Sequence, residues 1–356
     1  MLTIPIFAFS LTHPARNFII FLMNIRSKSM PSVPYSRYLI YPVTWYSFLI
    51  VIGASLALFF SCREEKYARL PRDTVLDLAL WLIPGGIIGA RVYYVVFSFH
   101  QFQNDLFSVF RVWEGGLAIY GGIIAGLLVL FIFCRRRNIS FLLLCDIIVP
   151  GLALAQAIGR WGNWFNMEAY GLPVSGSFPC FFPFAVQIPA DGYTWHLATF
   201  FYESVWDFFV FVFLLLTRHT LLNRRKGDVF FFYLFLYAAG RLIIEELRMD
   251  SLYASSVRIS QLFSAVLCAF ILFRYRLSSV KPVQKHPFSF FILFPLAVIS
   301  VIVIICYSLF GHSHFMLSVK HTVILLSVCS VLMVFGLCSV YFPRDLQEVE
   351  NADHCA

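Results

Sequence analysis

Charge is scarce in this chain. Of its 356 residues only 13% are Asp, Glu, Lys or Arg, and the acidic residues number 19. A soluble domain carries about 25%. The shortage excludes a large solvated surface, and with it the two soluble domains that the length alone would allow. It also argues against a nucleic-acid partner. The formal net charge is +8, but the lysines and arginines fall in short clusters between apolar runs rather than on a polar face. No CxxC pair occurs among the nine cysteines; Cys145, Cys268, Cys306 and Cys329 sit inside apolar segments, as small core residues do. Cys180 has no His close by in sequence, and Cys355 follows His354 only in a short polar tail. The halves show no repeat, which disfavours an inverted-repeat transporter. No signal peptide with a small-residue cleavage site is expected.

The chain is instead rich in apolar length. It is 60% hydrophobic and 18% aromatic. A membrane span needs about 20 apolar residues, and nine segments qualify: 41–62, 75–98, 115–134, 140–159, 199–217, 228–246, 258–274, 288–309 and 320–342. Every second loop is basic. Arg63, Lys66, Arg69 and Arg72 follow the first segment, Arg135–Arg137 the third, Arg218, Arg224, Arg225 and Lys226 the fifth, and Arg274, Arg276, Lys281 and Lys285 the seventh. The alternate loops are nearly bare; residues 160–198 carry only Arg160. Basic loops face the cytoplasm, so 160–198 face outside. The expected fold is an all-α polytopic transmembrane helix bundle of seven core spans plus two C-terminal ones. Its divisions are an N-terminal segment 1–40, a membrane domain 41–276 and an extension 277–356. Residues 1–23 are apolar but broken by His13, Pro14 and Arg16, and we read them as an overcalled start with Met30 as initiator.

Ionisable groups inside spans cost roughly 2.5–3.5 kcal/mol each at the centre and point to function. Arg91, Asp146, Asp207, Arg241 and Glu245 are of this kind. In the sixth span Tyr237, Arg241, Glu245 and Arg248 are spaced by four, four and three, which places them on one helix face. A structural Arg241–Glu245 pair would explain part of that pattern. The fourth span ends in "GRWGNWFNMEAYG". There Arg160, Asn163 and Asn166 recur every third residue and Tyr170 follows, among Gly159, Gly162 and Gly171. An interfacial helix cap explains one Asn, not the set. Two arginines near the outer ends of different helices offer planar donor forks suited to phosphate oxygens. Glu168 and Glu245 can orient them, and Tyr46, Tyr120 and Tyr202 add hydroxyls from other spans. Asp146 and Asp207 read as isolated. The cluster looks built for an anionic lipid head group.

Here the sequence resembles the prolipoprotein diacylglyceryl transferase family. Arg160, Gly162, Asn163, Asn166, Glu168 and Gly171 match the family signature Gly-Arg-x-Gly-Asn-aromatic-x-Asn-x-Glu and then Gly, in register. "GGIIGARVYYVVF" with Arg91, "RVWEGGLAIYGGIIAG", "TFFYESVWD" with Tyr202 and Glu203, and "YAAGRLIIEELRMDS" with Arg241 and Glu245 resemble further family blocks in order, over roughly residues 41–276. There are three departures. Tyr120 stands where many members carry His, proposed there as a general base; a Tyr titrates near pH 10 and a His near neutrality. "HLATFFYE" has His196 but lacks the family's proline and has one extra residue. Residues 277–356 run beyond the usual end.

The resemblance implies transfer of the diacylglyceryl group of phosphatidylglycerol to the lipobox cysteine thiol of a prolipoprotein signal peptide, forming a thioether and releasing glycerol phosphate. It implies no cofactor and no metal; the His312–His314 pair of "GHSHF" reads as a polar loop. Arg160 and Arg241 would stabilise the leaving phosphate. Asn163, Tyr46 and Tyr237, with Asn166 and Gly171, would bind the phospholipid. Glu168, Glu245 or Tyr120 would take the thiol proton, and the sequence does not choose among them. The location implied is the bacterial cytoplasmic (inner) membrane, with the active site toward the outer face. Three other readings fit less well: another phosphatidylglycerol-consuming transferase, a transporter whose polar residues would run through the full bilayer depth, and a non-catalytic binder of anionic lipid.

Overall fold

The computed structural model describes residues 37–341 apart from 42, 104, 176–177, 223–224, 250–252, 255–256, 279–286 and 315–318. The reading of residues 1–23 as an overcalled start with Met30 as initiator, and the His354–Cys355 pair, lie outside the described residues. Nine α-helices follow in order among them: α1 Trp45–Tyr67, α2 Thr74–Phe97, α3 Ile119–Arg137, α4 Phe141–Asn166, α5 Thr199–Thr217, α6 Asp228–Leu247, α7 Ile259–Ser278, α8 Pro287–His314 and α9 Val319–Tyr341. Three two-stranded antiparallel ribbons connect them: β1 Tyr38–Ile40 with β2 Val43–Thr44, β3 Ala185–Ile188 with β4 Thr194–Leu197, and β5 Tyr253–Ala254 with β6 Val257–Arg258. Each expected span is therefore a helix, and the bundle is all-α. The corrections are at the ends. Helix α3 absorbs Arg135–Arg137 as its last turn, α4 runs seven residues past the expected stop, and the backbone of 312–314 is helical rather than a loop.

Eight of the nine helices are long and apolar enough to cross a membrane. The exception is α6, whose Asp228, Arg241, Glu245 and Glu246 make it too charged to face lipid. Its place in the bundle removes that difficulty, because α4, α5, α7 and α9 pack against it. Phe235, Leu242 and Ala238 of α6 are enclosed in one core with Leu214 of α5, Ile271 of α7, Ile304 of α8 and Met333 of α9. A second core joins α2, α3 and the start of α4 through Leu78, Leu130 and Leu144.

The polar groups at the helix ends fix which ends lie together. Asp146, near the start of α4, accepts from the backbone N–H groups of Gly227 at 2.5 Å and Phe230 at 2.8 Å, so it caps the N-terminus of α6 from a neighbouring helix. Glu65, near the end of α1, accepts from Val75 N–H at the start of α2. Arg218, just past α5, pairs with Glu64 at 2.6 Å. These groups gather at one end of the bundle, with the triple arginine of α3, and we call it the basic end. The starts of α1, α3 and α5 and the ends of α4 and α6 lie at the other, which carries the β3–β4 ribbon and is called the head end.

Candidate active site

The extension of α4 beyond residue 159 keeps Arg160, Asn163 and Asn166 on one helical stripe. Tyr170 falls off it, because the helix stops at Asn166 with Met167 left-handed at φ 55°. Ala169 is left-handed as well, at φ 56°. Two such residues that are not glycine cost of order 1–3 kcal/mol each and persist only where the surroundings hold them. Here they flank Glu168 and fold it back, so that Asn166 Nδ2 donates to Glu168 Oε1 at 3.1 Å. The surroundings are a lacing of hydrogen bonds: Gly171 N–H to Leu197 O, Leu172 N–H to Leu247 O and the Thr199 hydroxyl Oγ1 to Ala169 O at 2.9, 2.9 and 2.7 Å. This loop ties the end of α6 and strand β4 to the end of α4. Gly171 sits where all three cross. A Cβ there would fall 2.7 Å from both Leu197 Cβ and Leu247 O, so its place is set by close packing.

The centre of the head end is Glu203 of α5. Its carboxylate meets three guanidinium groups from two other helices. Arg160 Nη1 of α4 lies 2.6 Å from Oε2. Arg241 Nη1 of α6 donates to Oε1 at 2.6 Å, and Arg248 Nη1 to the same oxygen at 3.0 Å. Arg241 Nη2 also donates to Glu245 Oε2 at 2.5 Å. Asp207, one turn below Glu203, approaches Arg160 Nε at 3.8 Å, so it is part of the cluster and not isolated. The exposures are graded. The Glu203 and Glu245 side chains are 3% and 2% exposed, whereas Arg160 and Arg241 are 20% and 17%. The carboxylates lie underneath and the donor forks form the accessible rim. Three arginines thus face three buried carboxylates, so each desolvated group has a partner of opposite kind within reach, while the rim still presents donors outward.

Tyr46 of α1 packs its ring on Gly162, where a Cβ would come within 2.3 Å of Cδ2. It lies in electrostatic reach of both Glu168 and Arg160. Trp45 stacks on Phe165 at 4.9 Å, fixing the start of α1 against the end of α4. Tyr237 is close enough to Arg160 to act on its charge and stacks on Tyr233. Trp161 Nε1 donates to Ser204 Oγ, which donates to Ala157 O, a lock beside the Arg160–Glu203 pair. Asn166 Oδ1 is buried with no hydrogen-bond partner among the described residues.

Not every candidate residue joins the cluster. Tyr120 is 51% exposed at the start of α3, and no contact with the cluster is seen among the described residues. Tyr202 gives its hydroxyl to Phe184 O at 2.5 Å, holding the segment that leads into β3. Arg91 donates to the carbonyls of Val109, Gly115, Gly116 and Ser108 and shapes the loop before α3. His196 is wholly buried in β4, with Nδ1 2.9 Å from Gly171 O and Nε2 2.8 Å from Asp191 Oδ2. Asp191 is exposed, outside the spans; a hydrogen bond from Thr194, with that of His196, holds its carboxyl below the usual range.

Sequence reasoning assigned Glu203 no role and stopped at Glu168 and Glu245 as partners for the arginines. The signal was present: Glu203 and Asp207 are two carboxylates four apart in an otherwise apolar span, hence on one face.

Comparison with known proteins points to one family. A family model described as prolipoprotein diacylglyceryl transferase matches residues 36–276. Among similar curated proteins, the phosphatidylglycerol–prolipoprotein diacylglyceryl transferase of Enterococcus faecalis is 45% identical over 233 residues, covering 64% of this chain and 83% of its own. That of Clostridium botulinum is 43% identical over 227 residues, 63% of this chain and 88% of its own. That of Streptococcus equi subsp. zooepidemicus is 39% identical over 247 residues, 68% and 94%.

Proposed function

The chain belongs to the prolipoprotein diacylglyceryl transferase family, and from that premise we propose that the head-end cluster transfers the diacylglyceryl group of phosphatidylglycerol to the lipobox cysteine of a prolipoprotein signal peptide. The observation that carries this reading is the Glu203 hub, with guanidinium groups of α4 and α6 gathered over one buried carboxylate at the end of membrane-length helices. A phosphodiester is the lipid group that such a rim recognises, since planar forks match its oxygens.

In the reaction the substrate's thiolate attacks the glyceryl carbon next to the phosphate. The carbon–sulfur bond forms, the carbon–oxygen bond breaks, and the electron pair leaves on glycerol phosphate. Charge moves onto the phosphate oxygen in the transition state, so fixed donors accelerate the step if they face that oxygen. Arg160 and Arg241 take that role, and Arg248 helps hold the shared carboxylate. Asn163, Asn166 and Tyr46 border the same stripe and orient the head group, with Tyr237 beside Arg160. Gly171 contributes by allowing the loop to close on β4 and α6. The thiol proton needs an acceptor. Glu245 and Glu203 are committed to guanidinium groups, whereas Glu168 is exposed and, among the described residues, accepts only from Asn166, which favours Glu168 over Glu245; Tyr120, with no contact to the cluster among those residues, is the weaker candidate.

The basic ends of α1, α3 and α5 support a cytoplasmic basic end, and hence a head end on the outer face of the bacterial cytoplasmic membrane. Signal peptides arrive on that face with their lipobox at the interface. The test is reconstitution of the purified chain with phosphatidylglycerol and a lipobox peptide. Thioether-linked peptide with stoichiometric glycerol phosphate is expected. Consumption of phosphatidylglycerol with other acceptors but never with the peptide would assign the site to a different transferase.

A further inference from the structure

The family match ends at residue 276, yet α8 and α9 are not appended to the outside of the fold. Ala297, Ile304, Leu326 and Met333 are fully enclosed and share the core of α6 and α7. Each added helix also brings a tyrosine hydroxyl to α6, one at either end. Tyr341, the last residue of α9, donates to Asp228 Oδ2 at 2.7 Å, and Tyr275 of α7 donates to Oδ1 at 2.8 Å. Asp228 is the first residue of α6 and has no exposed surface. At the head end, Tyr307 of α8 lies in hydrogen-bonding contact with Glu246 and 3.2 Å from Thr322 Oγ1 of α9. Glu246 is paired with Arg258, and Gln261 Nε2 donates to it at 3.2 Å.

Consecutive glutamates thus face opposite ways. Glu245 holds Arg241 in the arginine cluster, and Glu246 is held from behind by α7 and the extension. The helix so gripped is the one least able to sit in lipid unaided. Its height and rotation decide whether Arg241 reaches Glu203, and a displacement of about 1 Å costs such a site on the order of a hundredfold in rate.

We propose that the C-terminal extension is a positioning device for the reaction: Tyr307 and Tyr341 clamp α6 at its two ends and hold Arg241, Glu245 and Arg248 over Glu203. The inference rests on the transferase reading of the head end. Tyr307 and Tyr341 are positioning residues; they touch neither lipid nor peptide.

The experiment uses Tyr307→Phe, Tyr341→Phe and the double variant, which retain both rings, that of residue 341 in its packing on Phe232 and Tyr275. Two quantities are read: kcat and KM with phosphatidylglycerol and lipobox peptide, and amide hydrogen exchange over 241–247. The double variant loses about tenfold in kcat, with peptide KM within about twofold and faster exchange in that last turn of α6. Phe335→Leu, on an exposed face of α9, leaves both unchanged. A double variant with wild-type kcat, or with unaltered exchange in that turn, overturns the clamp. If exchange rises as expected while the wild-type chain transfers nothing, the clamp stands and the transferase reading falls.

Discussion

At the scale of single residues, Glu203 has the most consequential position, because one carboxylate organises cations from two helices. Glu203→Gln keeps the shape and removes the charge. It leaves three guanidinium groups short of a counter-ion, with an expected loss of roughly 3–5 kcal/mol in stability and a fall in transfer rate. Thermal unfolding in detergent, read beside the peptide assay, checks both. Gly162→Ala acts through a contact: its methyl would enter the Tyr46 ring. An overpacking cost of about 1–3 kcal/mol is expected, with a raised KM for phosphatidylglycerol if Tyr46 orients the head group; an unchanged KM would detach Tyr46 from lipid binding. Much of this was legible from spacing alone. Arg160, Asn163 and Asn166 every third residue, and Arg241 with Glu245 four apart, announce polar faces on helices. Glu203 as the shared partner was not, since a three-helix contact has no signature in any one segment. Tyr120 shows the converse: a motif records order along the chain, and among the described residues no contact of Tyr120 with the cluster is seen.

At the scale of elements, helix ends decide the architecture. Asp146 caps α6 across a helix boundary, and Asp146→Ala leaves two backbone donors without it. A cost of about 1–2 kcal/mol is expected, read as a lower unfolding midpoint with the arginine cluster of the head end untouched. The β3–β4 ribbon is held by Asp191, Thr194 and His196. The Asp191 carboxyl is depressed below its ordinary value near 3.8 by these partners. Its contribution is therefore fully present above that value and lost as pH falls through the lower folded-state value. Amide protection in β4 should stay level from pH 7 to about 5 and decline only below about 4, and Asp191→Asn should remove that decline. Spans were legible to within a few residues because hydrophobic length sets them. The ends of α3 and α4 were not, because arginines and asparagines continue a helix readily when neighbouring groups take up their donors. Asp207 looked isolated for a similar reason: its partner Arg160 is supplied by the preceding helix.

At the scale of the whole molecule, a bundle with its charge concentrated on one central helix has to surround that helix. The wall around α6 is built from α4, α5, α7 and α9, which makes the extension part of the enzyme's interior. Composition made the membrane class and the number of helices legible; it could not show that α9 packs on α6 while α8 shares their core. The proposed chemistry requires guanidinium groups of α4 and α6 to act together on a lipid phosphate. The most direct measurement is transfer from phosphatidylglycerol to a lipobox peptide by purified Arg160→Ala and Arg241→Ala proteins that insert and unfold as the wild type does. Each should lose at least about a hundredfold in rate, as removal of a fixed transition-state donor does; wild-type rates from Arg241→Ala would contradict the account.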